Sequence, residues 1–519
     1  MVSWSNKSSH HQSRSASFSA DAGLALVVLA LLFASELAGS PLFSDNSAQF
    51  SSFKSAGSYT SPLSRCKVEQ VIVLERNGAN APDAQLAASL QASLAKVIGK
   101  ANYTSSAMDF LGKYQYTLGS NGALYSAGAA QSKEAGVQFR KRYCRDGALL
   151  NSQCGDHWIR TTDSPALLES AKNWGAGLMQ GSGGSVNSPR VISEGLHFNN
   201  TLAPQCPNLV SSVPTAQQQW RDVWSPAVIQ RSQTGGSNYG LNGTVSECGI
   251  RITRARCRSP TVLTRATGIG QDIINFAYMC ALESFANGST SPFCSFFLDS
   301  DWPHIEYDGD LGKYYDHSYG ARLVQSLGTS WSLELLARLT GNRGYVLKET
   351  TLVNKTTDSS PENFPLDRPL YADFASDDQM LAVMSLLNLF LDSALSTTLP
   401  CPMRSFITSK MVPFAGRIVF ERLSCTGNGF WASIKQTIGA SSGAFVRVVV
   451  NDEVIDIRHI CHEDAVLENG TMCSLESFTA GVDIVQYEKM SRFAQCGFVA
   501  ADKYTGSHRA SKAQIYRNR

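Results

Sequence analysis

The segment Cys66 to Pro82 carries the residues best able to do chemistry. A β-branched stretch, Val68 to Leu74, predicts a half-buried strand running straight into the turn Arg76-Asn77-Gly78-Ala79-Asn80-Ala81-Pro82. Arg76 offers a guanidinium fork, which matches phosphoryl oxygens in charge and geometry. Asn77 and Asn80 offer only carboxamides. An amide nitrogen delocalises its lone pair into the carbonyl, so neither residue can attack an electrophile. Far along the chain, Ala375-Ser376-Asp377-Asp378 carries two adjacent carboxylates. Arg76 and Asp377, if adjacent, read equally well as a structural ion pair.

Other reactive side chains are scattered. His157, His197, His304, His317, His459 and His462 are potential nucleophiles, but a lone histidine is more often a surface or hydrogen-bonded residue. The acidic run Asp299 to Asp310 invites a calcium reading, yet it lacks the EF-hand spacing and is expected to be a solvated loop. The 13 cysteines include no CxxC pair, which argues against zinc and for a disulfide framework in an oxidising compartment. No metal and no cofactor are expected.

The turn after the first strand resembles the Arg-His-Gly-x-Arg-x-Pro loop of the histidine acid phosphatases, and in particular of their fungal phytase branch. Later segments are similar to that branch in order and spacing: Tyr114 to Gly119, Arg160 to Ala171, Phe198 to Leu202, Ser291 to Cys294, Leu311 to Tyr315, Leu335 to Leu339, Leu370 to Phe374 and Val412 to Arg417. The resemblance implies a fold with a phosphate pocket, an attacking histidine that becomes phosphohistidine, a set of phosphate-holding arginines and a His-Asp pair whose aspartate is the proton donor. Position by position, Arg76 matches the first arginine and Asp377 the donor. Asn77 stands in the nucleophile position, Asn80 and Ala166 stand where two further arginines are expected, and Ser376 replaces the histidine of the His-Asp pair. Each lost arginine removes charge-assisted hydrogen bonds of roughly 1.5–3 kcal/mol. Two such losses correspond to about 10²–10⁴ in rate or affinity, before the missing covalent route is counted. The resemblance also implies the pairs Cys66–Cys425, Cys206–Cys496, Cys280–Cys294 and Cys461–Cys473. Proximity in sequence suggests Cys144–Cys154 and Cys248–Cys257, which leaves Cys401 free. The functional expectation is an inactive phosphatase-like glycoprotein that acts by binding a phosphorylated small molecule, a glycan or a protein. The alternative is an acid phosphatase or phytase of reduced or altered activity.

The elements that must position these residues are legible from periodicity. Helices are expected over Ala84–Ile98, Ala129–Tyr143, Ile274–Phe285, Ser332–Leu339 and Met380–Leu391, a strand over Pro369–Phe374, and a hairpin over Phe445–Val454 that turns at Asn451-Asp452. Strands alternating with helices predict an α/β fold, a central mixed sheet flanked by helices with an inserted, mostly α-helical subdomain. The domain is expected over residues 66–498, after a polar leader (1–21), an apolar signal core or type II signal anchor (22–39) and a Ser-rich linker (40–65), and before a basic tail (499–519). A formal charge of +2 over 519 residues gives no reason to expect nucleic acid as a partner. Sequons at Asn102, Asn199, Asn242, Asn287, Asn354 and Asn469 fit a secretory-pathway glycoprotein, secreted or membrane-anchored.

Overall fold

The computed structural model describes residues 42–98, 102–103, 106–144, 150, 154–182, 186–195, 199–209, 213–234, 241–242, 269–353, 358–426, 443–461 and 466–499. The leader, the apolar run, the tail beyond Val499, His197, His462, Asn354, Cys248 and Cys257 lie outside the described residues.

One mixed sheet organises the molecule. Its strands are β1 (Cys66–Glu75), β2 (His157–Thr162), β3 (Arg190–Ile192), β4 (Leu370–Phe374), β5 (Arg417–Cys425), β6 (Ala444–Val450), β7 (Glu453–Val454), β8 (Val466–Leu467) and β9 (Met472–Ser474). They run in the order β8-β9-β6-β5-β1-β4-β2-β3, with β7 paired to β6. β1 is parallel to β4 and antiparallel to β5; β4 is parallel to β2, and β2 to β3. Val71 to Glu75 are buried on both faces, so β1 is a central strand rather than the half-buried one its sequence suggests. Ile72 and Leu74 join one apolar cluster, with Trp331 and Phe478. Val71 and Val73 join the other, with Phe139 and Trp174. The hairpin turns at Asn451 (φ 45°) and Asp452 (φ 71°), both left-handed as a tight two-residue connection requires.

The flanking helices are α1 (Ala84–Val97), α2 (Ser126–Tyr143), α3 (Pro165–Leu178), α4 (Val213–Thr234), α5 (Ile269–Asn287), α6 (Trp302–His317), α7 (Thr329–Thr340), α8 (Asp377–Leu386) and α9 (Leu475–Met490). α4, α5, α6 and α7 fall between β3 and β4, the mostly helical stretch expected as an insertion. α8 stops before the expected Leu391, because Asn388 (φ 53°) and Phe390 (φ 58°) turn the backbone left-handed.

Three expectations are corrected. The acidic run is not a solvated loop: most of it is α6, whose Glu306, Asp308 and Asp310 are buried and each committed to protein partners. Asp308 pairs with Arg221 at 2.6 Å, Asp310 with Arg404 at 2.8 Å, and Glu306 accepts from the backbone N–H groups of Ala48 (2.6 Å) and Ser409 (2.9 Å). Nor are residues 42–53 a linker, since Ser47, Ala48 and Ser51 are buried and Phe50 packs on Tyr278 and Phe414. Finally, Asn199 is buried, its amide donating to the Thr351 carbonyl at 2.6 Å and its oxygen accepting from the Gln205 N–H at 2.8 Å. No glycan fits on that nitrogen in the folded chain, whereas Asn287 and Asn469 are exposed.

The disulfides Cys66–Cys425, Cys206–Cys496, Cys280–Cys294, Cys461–Cys473 and Cys144–Cys154 are all formed, and Cys401 is an exposed free thiol. Among the described residues no helix is long and apolar enough to cross a membrane, and no cluster of side chains could hold a metal ion.

Candidate active site

The parallel pairing of β1 and β4 creates the site. Glu75 lies opposite Phe374, so the residues that follow each strand emerge together at the carboxyl edge of the sheet. Arg76 leaves β1 there. Ser376 and Asp377 leave β4, Ser376 capping α8 by accepting from the Gln379 N–H at 3.2 Å.

Arg76 and Asp377 meet at 3.4 Å, as the ion pair that their charges suggested. Arg76 is otherwise held by protein groups, except that its buried Nε has no hydrogen-bond partner among the described residues. Its Nη1 donates to the carbonyls of Gln49 and of Val412 (2.7 Å for Val412), and its guanidinium lies 4.6 Å from the centre of the Phe414 ring. Asp377 also accepts Lys313 Nζ from α6 at 2.9 Å, and that same ammonium holds Asp378 at 2.6 Å. Burial alone would raise the Asp377 carboxyl, but Arg76 and then Lys313 outweigh it and hold it well below the usual carboxylate range. Burial likewise lowers Arg76, against the pull of Asp377 and Asp378.

Asn77 is buried beside this cluster. Its Nδ2 donates to Asn80 Oδ1 and to the Gly78 carbonyl, both at 2.8 Å, and Asn80 Nδ2 donates to the Ala81 carbonyl at 2.8 Å. The two carboxamides therefore satisfy each other and the loop. Gly78 is required by close approach: a Cβ there would fall 2.1 Å from the Gly128 carbonyl oxygen of α2. The Gly78 N–H donates to Ser170 of α3 at 3.1 Å, and Ala166, buried in the first turn of that helix, contributes only a methyl group. Arg160, in the segment expected near phosphate, is instead buried beneath the site. It pairs with Asp373 at 2.7 Å and with Glu334, and Arg338 reaches the same Asp373 at 2.8 Å.

Among the described residues, the other histidines are held elsewhere or stand at the margin of the cluster. His157 bonds the Cys154 carbonyl at 2.9 Å, His304 stacks on Trp224, and His459 bonds the Leu387 carbonyl at 3.0 Å. Among the described histidines only His317 approaches the cluster, 3.4 Å from Asp378. Sequence reasoning weighed His317 only as one of six scattered histidines and passed over Lys313 and Gln49 as site residues. Lys313 sits inside Leu311 to Tyr315, but a lysine in an acidic helix gives no sign of its direction. Gln49 acts through its backbone, which no side-chain pattern reports.

The fold, the strand-edge loop and the Asp377 pair define a histidine phosphatase scaffold, and the chain belongs to the histidine phosphatase superfamily (branch 2), whose model matches residues 67–451. Among curated proteins it is similar to Phytase A of Arthroderma benhamiae, at 27% identity over 80% of this chain and 84% of that one, and to Phytase A of Aspergillus terreus, at 27% over 81% and 83%. Among solved structures it resembles the phytase from D. castellii, with a TM-score of 0.61 and 20% identity over 92% of this chain and 95% of that one. It also resembles the Bifidobacterium longum multiple inositol polyphosphate phosphatase in complex with phosphate, with a TM-score of 0.53 and 13% identity over 85% and 98%.

Proposed function

We propose that this chain is a glycoprotein of the secretory pathway that keeps the histidine phosphatase scaffold, no longer transfers phosphate, and acts by binding a ligand at the former catalytic cleft. The carrying observation is Asn77, a carboxamide in the nucleophile position that is already hydrogen-bonded to its own loop. A group with no available lone pair forms no phosphoenzyme. The remaining cations, Arg76 and Lys313, are neutralised by Asp377 and Asp378, which weakens any clamp on a phosphoryl group. Disulfides that tie β1 to β5 and cross-link distant segments favour an oxidising compartment. Whether the apolar run at 22–35 is cleaved or retained as an anchor decides between a secreted and a membrane-attached form.

The test is an assay of the purified protein against p-nitrophenyl phosphate and phytate at acid pH, beside its Asp377→Asn variant. The expected result is no release of phosphate above background by either. Turnover that Asp377→Asn abolishes would establish the alternative, a phosphomonoesterase working through another group.

A further inference from the structure

A cavity of about 720 Å³ opens between α2, the end of α5 and the N-terminal residues 43–53. Its wall is largely apolar: the half-buried rings of Phe43, Phe53 and Phe285 line it from three segments, beside Ala127 and Ala130 of α2. Such a wall suits a carbon skeleton, and the volume lies in the range of small-ligand sites, roughly 300–1,000 Å³. Among the described residues the wall carries one basic side chain, Arg417 at the start of β5, which is only 5% exposed. Its Nη2 reaches the Asp452 carboxylate at 3.3 and 3.4 Å, and its guanidinium lies 4.2 Å from the centre of the Phe53 ring. Its Nε and Nη1 donate to no protein group among the described residues. Asp452 is held more closely by Arg142, at 2.7 Å, so two guanidinium groups share one carboxylate. Glu75, opposite Arg417 in the register of β1 and β5, does not balance the excess. Burial pushes it up to about 8 against the pull of Arg417, so it keeps its proton in mildly acidic solution. Glu134, the one acid in the wall, is exposed and accepts from Gln138, where solvent and salt screen it.

We propose that this cavity binds a small amphiphilic carboxylate, its head on Nε and Nη1 of Arg417 and its hydrocarbon body between Phe43, Phe53 and Phe285. A guanidinium fork matches a carboxylate in charge and spacing, and the bond gains strength where water is excluded. The occupant also packs against residues that hold the Asn77 loop. Ala415 of the wall donates its N–H to the Asn77 carbonyl at 2.9 Å, and Gln131 of the wall accepts the Ala79 N–H at 2.8 Å. This goes beyond the proposed function and stands whether or not the cleft hydrolyses phosphate.

Isothermal titration calorimetry of the full chain in mildly acidic buffer tests the assignment, with decanoate, hexanoate, decanol and inorganic phosphate as probes. Decanoate is expected to bind. Decanol, the same chain without the charge, is expected to bind at least about tenfold more weakly, and so is hexanoate, which leaves much of the apolar wall uncovered. Inorganic phosphate, an anion with no hydrocarbon body, is expected not to displace decanoate. Arg417→Gln is expected to weaken decanoate at least about tenfold and to leave decanol unchanged. Arg417 is buried, so a second variant guards against a folding defect: Ala130→Trp sits on the exposed face of α2, fills the cavity, and is expected to weaken decanoate and decanol alike. No decanoate binding, equal affinity for decanoate and decanol, displacement of decanoate by phosphate, or unchanged decanoate affinity in Ala130→Trp or in folded Arg417→Gln would each overturn the proposal. Phosphate release from phytate by the same sample would overturn only the non-hydrolysing reading.

Discussion

At the scale of single residues, losing the nucleophile and losing the clamp are separable defects. Asn77→His restores a lone pair but leaves Asn80 and Ala166 where cations are needed, and it breaks the Asn77–Asn80 hydrogen bond. The single variant is therefore expected to show at most about a hundredth of the phosphatase rate of Asn77→His/Asn80→Arg/Ala166→Arg/Ser376→His, measured with p-nitrophenyl phosphate. The fourth change removes the serine that caps α8, at a cost of about 1 kcal/mol. Asp377 sets the pH dependence of the quadruple variant. Its ion pairs hold the carboxyl ionised below the usual range, and a proton donor must carry its proton. The rate is expected to rise as pH falls through and below the ordinary carboxylate range. A rate that fell instead on acidification would show that Asp377 is not the donor.

At the scale of elements, the sheet's parallel register delivers Arg76 and Asp377 to one edge, and the buried cluster under that edge keeps the register. Asp373 of β4 has its carboxyl between Arg160 of β2 and Arg338 of α7, and accepts the Trp331 indole N–H at 2.8 Å. Burial alone would raise this carboxyl, but Arg160 and then Arg338 drive it well below its ordinary value. Asp373→Asn leaves two buried guanidinium groups with one partner fewer and is expected to cost about 3–5 kcal/mol. Urea denaturation reads this as a lower midpoint with unchanged slope; a midpoint within about 0.5 kcal/mol of the parent would refute it. Much of this layer was legible in the sequence. Periodicity found α1, α2, α5 and α7 from their apolar spacing, and the β6–β7 hairpin from its β-branched run and the Asn451-Asp452 turn. The resemblance named Arg76 and Asp377, which the fold brings within 3.4 Å of each other. What escaped was burial against pattern: α6 hides three acids inside the protein, and charge in a helical window reads as solvent exposure unless its partners, here on α4 and near 404–409, are known. Lys313 escaped for the same reason.

At the scale of the whole molecule, buried acids impose a stability profile. Burial pushes Glu75 up to about 8 against the pull of Arg417, and pushes Glu306 up to about 8 with Asp310 adding to it. An acid whose folded value lies above its unfolded one holds its proton longer in the native state. Stability then falls as pH rises, over the window from about 4.5 to about 8. Asp373 and Asp377 work the other way, and their contribution fades only as pH drops below the ordinary carboxylate range. The melting temperature is therefore expected to peak at mildly acidic pH and to decline towards pH 9. Glu75→Gln should flatten that decline, and a calorimetric slope that Glu75→Gln leaves unchanged would contradict the assignment.

The region matched by the family model begins at Lys67, a natural place to cut a recombinant version. Such a cut would discard Gln49, whose carbonyl grips Arg76, together with Ala48, which ties that grip to Glu306, and Phe50, which wedges against Phe414. The shortened polypeptide would also lose Cys66, the first residue of β1 and the disulfide partner of Cys425, and would release the Arg76 guanidinium from one of its two carbonyl anchors. Ligand titrations on it would then measure an altered cleft, so the N-terminal boundary for such work belongs at or before Leu42.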